Sequence, residues 1–466
     1  MTIRMHKALV LPSLLALSVA TWVVAGCSSG GSMNATSAKT GTSFVVGTDA
    51  PMDAVTSFSV QVQSITATDA QGNSVQLISG SPVVDFARFN GLQTLLSLNN
   101  VPEGSYTNVT ITLGQATLGY LNTSGTGAPT IQTMAATLST NTINLTLATP
   151  LVVANAAAPV GLHVDFNLRK SIQVDSTGQI TGQVTPTFTV STVGPDDSGA
   201  HIDEYTASVV SVDMGQQTLI LEGPDGNQIT VALNGQTEWD GGASLSDLTA
   251  NSIVQVSGKL DKTTGNLDAD ELEILSQNGF YASGQVTYVT PASGAATSFD
   301  MYVRGLLPAT TGLTDGQIAT VDLTGTENFS IYWMHDEMSQ FLFNSSAMLP
   351  GQDVAVGGPA SGATNPQAVS VNRVVLRDWG FNGTVVPGSV NTSNNTFQMQ
   401  VNGFAGILIP ETVTVYIAGE TEYRDGLGDL SNVDTTTNVR VVGVLLKDPT
   451  TGGAILVAHY VDSQDN

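Results

Sequence analysis

The chain has 466 residues with 14 Lys and Arg against 39 Asp and Glu, a formal charge of −25 at pH 7. A surface of that sign repels phosphate backbones, which excludes nucleic acid as a partner. Only 11% of residues are charged and 41% are hydrophobic, a balance that favours β-structure over long surface helices and, at this length, about three or four domains.

Arg4, His6 and Lys7 precede an apolar run from Ala8 to Val24 that Pro12 and Ser13 interrupt. A spanning helix needs about 20 consecutive apolar residues, so this reads as a secretory leader. Val23-Val24-Ala25-Gly26-Cys27-Ser28 closes it on small residues and the only cysteine. The pattern resembles a bacterial lipobox. That resemblance implies removal of residues 1–26, diacylglycerol on Cys27, palmitate or a similar third acyl chain, and a membrane anchor. Ser28 stands where an Asp would imply inner-membrane retention, which favours the outer membrane. The alternative is an ordinary leader cut near Ala25, leaving a free thiol that an oxidising compartment would attack. Residues 27–42 are rich in Ser, Gly, Thr and Ala and read as a flexible tether.

Residues 43–192 read as a β-sandwich. Phe44 and Val46, then Phe58, Val60 and Val62, stand at the period of half-buried strands, with a Pro/Asp turn from Thr48 to Val55 between them. Asp69-Ala70-Gln71-Gly72-Asn73 predicts a hairpin loop. The spacing of Leu92, Leu95 and Leu96 predicts a short helix. Val101-Pro102-Glu103-Gly104-Ser105-Tyr106 is a tight turn. Strand alternation resumes at Val109, Ile111 and Leu113, at Ile143, Leu145 and Leu147, and at Leu162, Val164, Phe166 and Leu168. Thr48-Asp49-Ala50-Pro51, Pro102-x-Gly104-x-Tyr106 and Val164-Asp165-Phe166 with Lys170-Ser171 resemble the bacterial domain of unknown function 4382. The resemblance implies a sandwich found in lipoproteins, without an assigned activity.

A linker, 193–203, centres on Gly194-Pro195-Asp196-Asp197-Ser198-Gly199. Each half has enough alternating apolar residues for its own core, so the two halves are expected to fold separately. Beyond the linker the chain repeats itself at 204–277, 278–378 and 379–463. Thr237-Glu238-Trp239 precedes Val254-Gln255-Val256-Ser257-Gly258, and Thr421-Glu422-Tyr423 precedes Val439-Arg440-Val441-Val442-Gly443. A looser middle copy has Ile331-Tyr332-Trp333 before Val354-Ala355-Val356-Gly357. Five or six short strands per unit predict three small β-barrel-like repeats, giving an all-β chain. The repeats resemble the bacterial domain of unknown function 5666, which also lacks an assigned reaction.

No Gly-x-Ser-x-Gly elbow is present, and the five histidines form no His-x-x-x-His pair, so serine-hydrolase and zinc-protease readings fail. His163 and Asp165 share a strand face as half of a site, against core packing as the plainer reading. Loops opening at Asp69, Asp225, Asp261 and Asp448 read as turns, with weak Ca2+ sites as the alternative. The best acidic group for a cation is Asp49 with Asp53 and Asp85. Trp239, Trp333 and Tyr423 either stack on sugar rings or plug their barrels, and their repetition favours the plug.

These features together point to a lipid-anchored envelope protein of binding or structural type, whose ligand is a glycan, an envelope component or an envelope protein. The alternatives are a polysaccharide or peptidoglycan hydrolase and a calcium-dependent adhesion module.

Overall fold

The computed structural model describes residues 39–463, apart from 51–54, 90–91, 123–127, 129, 156–157, 177–179, 196, 198–199, 224–225, 227, 240–242, 278, 308–312, 333–340, 360–367, 403–407, 410–411, 425–426 and 434–436. The fold is all-β: a sandwich followed by three small barrel-like units.

In the sandwich, the strand Thr40–Ala50 lies between Thr94–Pro102, antiparallel, and Val160–Asn167, parallel, with Phe188–Val193 at the edge. The facing eight-stranded sheet is built on the long strands Val55–Asp69 and Gly104–Asn122. Phe58, Phe86, Phe166 and Phe188 meet between the sheets. Phe166 and Phe188 stack at 4.4 Å, and Phe58 and Phe86 contact Phe166 edge-on at 5.1 and 5.0 Å. The predicted Pro-x-Gly-x-Tyr turn is closed by the Tyr106 hydroxyl, which donates to the Pro102 carbonyl at 2.8 Å.

Two expectations change here. The leucines near residue 95 form no helix; they enter the strand Thr94–Pro102. Leu96 packs on the sandwich core while Leu95 and Leu98 pack on the first barrel, so opposite faces are buried and period two wins over the local helical spacing. The strand Thr40–Ala50 is likewise buried on both faces. Val45 belongs to the sandwich core, whereas Phe44 and Val46 are buried among Ala207, Leu221, Val254 and Leu272 of the first barrel. The two halves therefore share a core, contrary to the expectation that they fold separately, and the linker's Ala200 is itself fully buried there.

The first barrel closes through Gln228–Ala232, Thr218–Glu222, Ile202–Asp213, Ile253–Leu260 and Leu267–Ser276, the last strand pairing back in parallel with the first. The third closes through Trp379–Val385, Thr396–Val401, Thr412–Arg424, Ala454–Ser463 and Asn438–Lys447. In the middle unit the final strand is split into Ala368–Ser370 and Arg373–Arg377, which interrupts the ring. The repeated Gly258 and Gly443 have a backbone reason. Each sits at a ladder irregularity where a Cβ would lie 2.1 Å from the Asp268 carbonyl oxygen or 2.0 Å from that of Val457.

Ladder register identifies the repeated aromatic. Trp239 pairs with Leu272 and Tyr423 with Val461, and the matching position in the middle unit, opposite Val374, is held by Phe329. Trp333 lies outside the described residues. Trp239, Phe329 and Tyr423 each pack, partly buried, against the core of their own unit.

The units are joined by further contacts. Val444, Leu446, Ile455 and Val457 of the third barrel complete the core of the middle unit. Leu92 of the sandwich packs with Val442 and Tyr460 of the third barrel. Among the described residues no helix is long and apolar enough to cross a membrane.

Candidate functional site: an arginine-lined cavity between the units

Residues of the sandwich and of all three barrels line an open cavity of about 640 Å³, within the size range of small-molecule sites. Three of the chain's 14 Lys and Arg residues line it: Arg88, Arg304 and Arg377. Arg88 comes from the short turn Phe86–Arg88 of the sandwich and is exposed. Arg304 and Arg377 come from middle-unit strands and are 4% and 7% exposed. Thr206 and Ser208 of the first barrel and Trp379 of the third complete the wall.

The two buried arginines are held by named partners. Arg304 donates through Nη1 to the Ala87 carbonyl at 3.0 Å, and its guanidinium carbon lies 4.4 Å from the Trp379 ring centre and 5.3 Å from that of Tyr302. Arg377 donates through Nη1 to the Tyr281 hydroxyl at 2.7 Å, with its Nε 4.0 Å from Asp353 Oδ1. Burial, reinforced by Arg88, lowers the Arg377 pKa to about 9. Burial also raises the Tyr281 and Tyr302 hydroxyls to about 12, so both stay neutral.

The acids facing these arginines are partly neutralised. Burial pushes the Asp353 carboxyl well above the carboxylate range, an effect that neighbouring Asp378 adds to and Arg304 only opposes. Asp315 at the rim is raised to about 6 by desolvation and by repulsion from Asp85. Asp378, 5% exposed, lies with Oδ2 2.6 Å from His459 Nδ1, while its Oδ1 is buried without a hydrogen-bond partner. Desolvation works against protonation of His459, but Asp378 outweighs it and raises its pKa. The result is a hollow of mixed charge, in which three arginines face Glu222, Asp315, Asp353 and Asp378.

Asp378 also lines a smaller void of about 40 Å³ with His201, Asp203, His459 and Tyr460. His201 Nδ1 lies 3.1 Å from Asp203 Oδ1 and its Nε2 3.4 Å from Asp270 Oδ2. Burial opposes protonation of His201, yet these carboxylates raise its pKa to about 9. Asp203 in turn accepts from the Gln93 backbone amide at 2.7 Å, tying the sandwich to the first barrel. The fold thus gathers two histidines that lie in separate sequence units.

The residues singled out from sequence sit elsewhere. Asp85 Oδ1 accepts from the amides of Phe58 at 2.8 Å and Ala87 at 3.2 Å, capping the turn that presents Arg88 and the Ala87 carbonyl. Asp53 lies outside the described residues, and Asp49 is on the strand Thr40–Ala50. Among the described residues no group of three His, Cys, Asp or Glu side chains could hold a metal. Asp69, Asp261 and Asp448 accept hydrogen bonds from residues of their own turns, which hold their pKa values down; Asp225 lies outside the described residues. His163 and Asp165 are half-buried, with Asp165 Oδ2 accepting from Thr189 at 3.0 Å. Cys27 lies outside the described residues.

The cavity residues carry one sequence signal: Arg377 and Asp378 follow Val374-Val375-Leu376 and precede Trp379, two charges inside an apolar run. Scarce cations placed in strands that are otherwise apolar mark a buried polar site.

Known proteins resemble parts of this chain. A solved structure, "drosophila Unr CSD456", aligns with 56% of this chain and 96% of its own at 11% identity and a TM-score of 0.15. No curated protein matches the chain. Residues 40–183 match the family Domain of unknown function (DUF4382), and residues 207–273 match Domain of unknown function (DUF5666).

Proposed function

We propose that this is a lipid-anchored binding protein of the bacterial envelope, favouring the outer membrane, that holds a small organic anion in the arginine-lined cavity. The observation that carries the reading is the convergence of Arg88, Arg304 and Arg377 on one cavity in a chain with net charge −25. Guanidinium groups bind carboxylates with paired, charge-assisted hydrogen bonds. Low local dielectric strengthens such bonds inside a cavity. The resemblance of Val23-Val24-Ala25-Gly26-Cys27 to a lipobox supports the anchor. An envelope component or an acidic sugar is the ligand class; neutral glycan stacking on Trp239 and Tyr423 is less favoured, because both rings pack against their barrel cores.

The test is thermal unfolding of the purified chain with glucuronate, octanoate or glucose. A ligand that binds only the folded state raises Tm. One or both anions should raise it and glucose should not.

One observation favours a second reading, hydrolysis of polysaccharide or peptidoglycan. Asp353 and Asp378 line the same cavity, and burial with the neighbouring Asp378 raises the Asp353 pKa, the direction that suits a general acid with a carboxylate partner. Release of reducing ends from envelope polysaccharide, lost in Asp353→Asn, would establish it in place of simple binding.

A further inference from the structure

We propose that the anion site continues into an apolar groove beside it, so that the ligand is an amphiphilic acid with a carboxylate at the arginines and one acyl chain along the groove. This rests on the anion reading of the cavity and adds the chemistry of the rest of the ligand. The groove, about 360 Å³, is lined by Val62, Ile65, Ile78, Val83, Val84 and Leu96 of the sandwich. Its wall toward the cavity is common to both spaces: Arg88, Phe89, Thr94 and Thr206 line each of them.

The placement of the arginines gives the direction of the occupant. Arg88 stands at the shared wall, and the buried Arg304 and Arg377 lie on the cavity side only. On the groove side the one acidic residue is Asp85. The cavity also holds Glu222, Asp315, Asp353 and Asp378, so the head is placed there by pairing with a guanidinium, and the ligand has a single head because Arg88 is the one arginine that the groove lining shares. Apart from Phe89 and Tyr205, the apolar groove residues are aliphatic or proline, which suits an acyl chain. Val83, on the short edge strand Val83–Asp85, is 70% exposed. Apolar surface left open beside a guanidinium is what such a chain would cover.

The experiment is calorimetric titration of the purified chain with straight-chain acids from butanoate to dodecanoate, each below its micelle concentration, and with 1-octanol. Each buried methylene should tighten binding about fourfold, the factor that ~0.8 kcal/mol per CH₂ gives at 25 °C, until the groove is filled. Octanol should bind at least ~10-fold more weakly than octanoate, the loss expected when a charge-assisted hydrogen bond is removed. Val83→Glu, a change at an exposed position, should flatten the dependence on chain length. Equal affinity for butanoate and dodecanoate would overturn the extension and leave the cavity reading standing. Binding of glucuronate with no binding of any alkyl acid would do the same. If neither glucuronate nor any acid binds, the cavity reading itself fails.

Discussion

The guanidinium carbon of Arg304, on a strand of the middle unit, lies 4.4 Å from the ring centre of Trp379, the first strand residue of the third barrel. The same guanidinium donates to the Ala87 carbonyl of the sandwich at 3.0 Å. One side chain thus braces three units and forms part of the cavity wall. A cation–π contact of this kind is worth about 2 kcal/mol when desolvated, and a hydrogen bond from a charged donor contributes about 1.5–3 kcal/mol. Arg304→Ala should therefore cost about 3–5 kcal/mol, measured by urea denaturation. A loss below about 0.5 kcal/mol would mean that the brace is not energetically real.

A pH dependence follows from His201. Its folded pKa of about 9 lies above the ordinary value of 6.5. Its contribution is therefore complete below about pH 6.5 and is lost as pH rises toward 9. Because His201 is partly exposed, on the order of 2 kcal/mol should disappear across that window. His201→Gln should reduce the slope, leaving the part that His459 contributes; an unchanged alkaline profile would show that the pairs with Asp203 and Asp270 do not hold the proton.

Phe44 tests the shared core. It is fully buried among first-barrel residues although it belongs to a sandwich strand. Phe44→Ala should cost about 3–5 kcal/mol. Calorimetry should show the sandwich and first barrel losing stability together, and proteolysis between Gly194 and Gly199 should not yield two independently folding pieces. A variant in which only one transition moves would restore the picture of separate halves.

The anchor is tested at Cys27. Cys27→Ala should release the protein from the membrane fraction and abolish incorporation of labelled fatty acid. Continued membrane association without detergent would contradict the lipobox reading.

Local pattern carried much of this fold. Strand alternation at Val109, Ile111 and Leu113 predicts the buried face correctly, because one-sided burial leaves a period of two. The glycines at 258 and 443 mark repeat positions because a bulge there leaves no space for a Cβ. What sequence hides is burial imposed from outside a unit. Val45 sits between Phe44 and Val46 because a second body covers that strand, and Leu95 and Leu96 look helical for the same reason. In the middle unit the aromatic position fell to Phe329, since Trp333 gives the closer local match and only strand register shows the offset. The cavity was least legible of all: its arginines come from residues 88, 304 and 377, and no spacing rule links positions brought together by packing between units.

The most direct measurement of the central claim is calorimetric titration of octanoate and glucuronate into the wild-type chain and into Arg88→Gln. Arg88 is exposed, so its replacement should leave the fold intact while removing a charged donor from the cavity. The wild type should bind at least one of the two anions, and Arg88→Gln should bind it about 10–100-fold more weakly, the range expected for a charge-assisted hydrogen bond. Equal affinities in the two proteins, or no binding of either anion by the wild type, would contradict an anion site in this cavity.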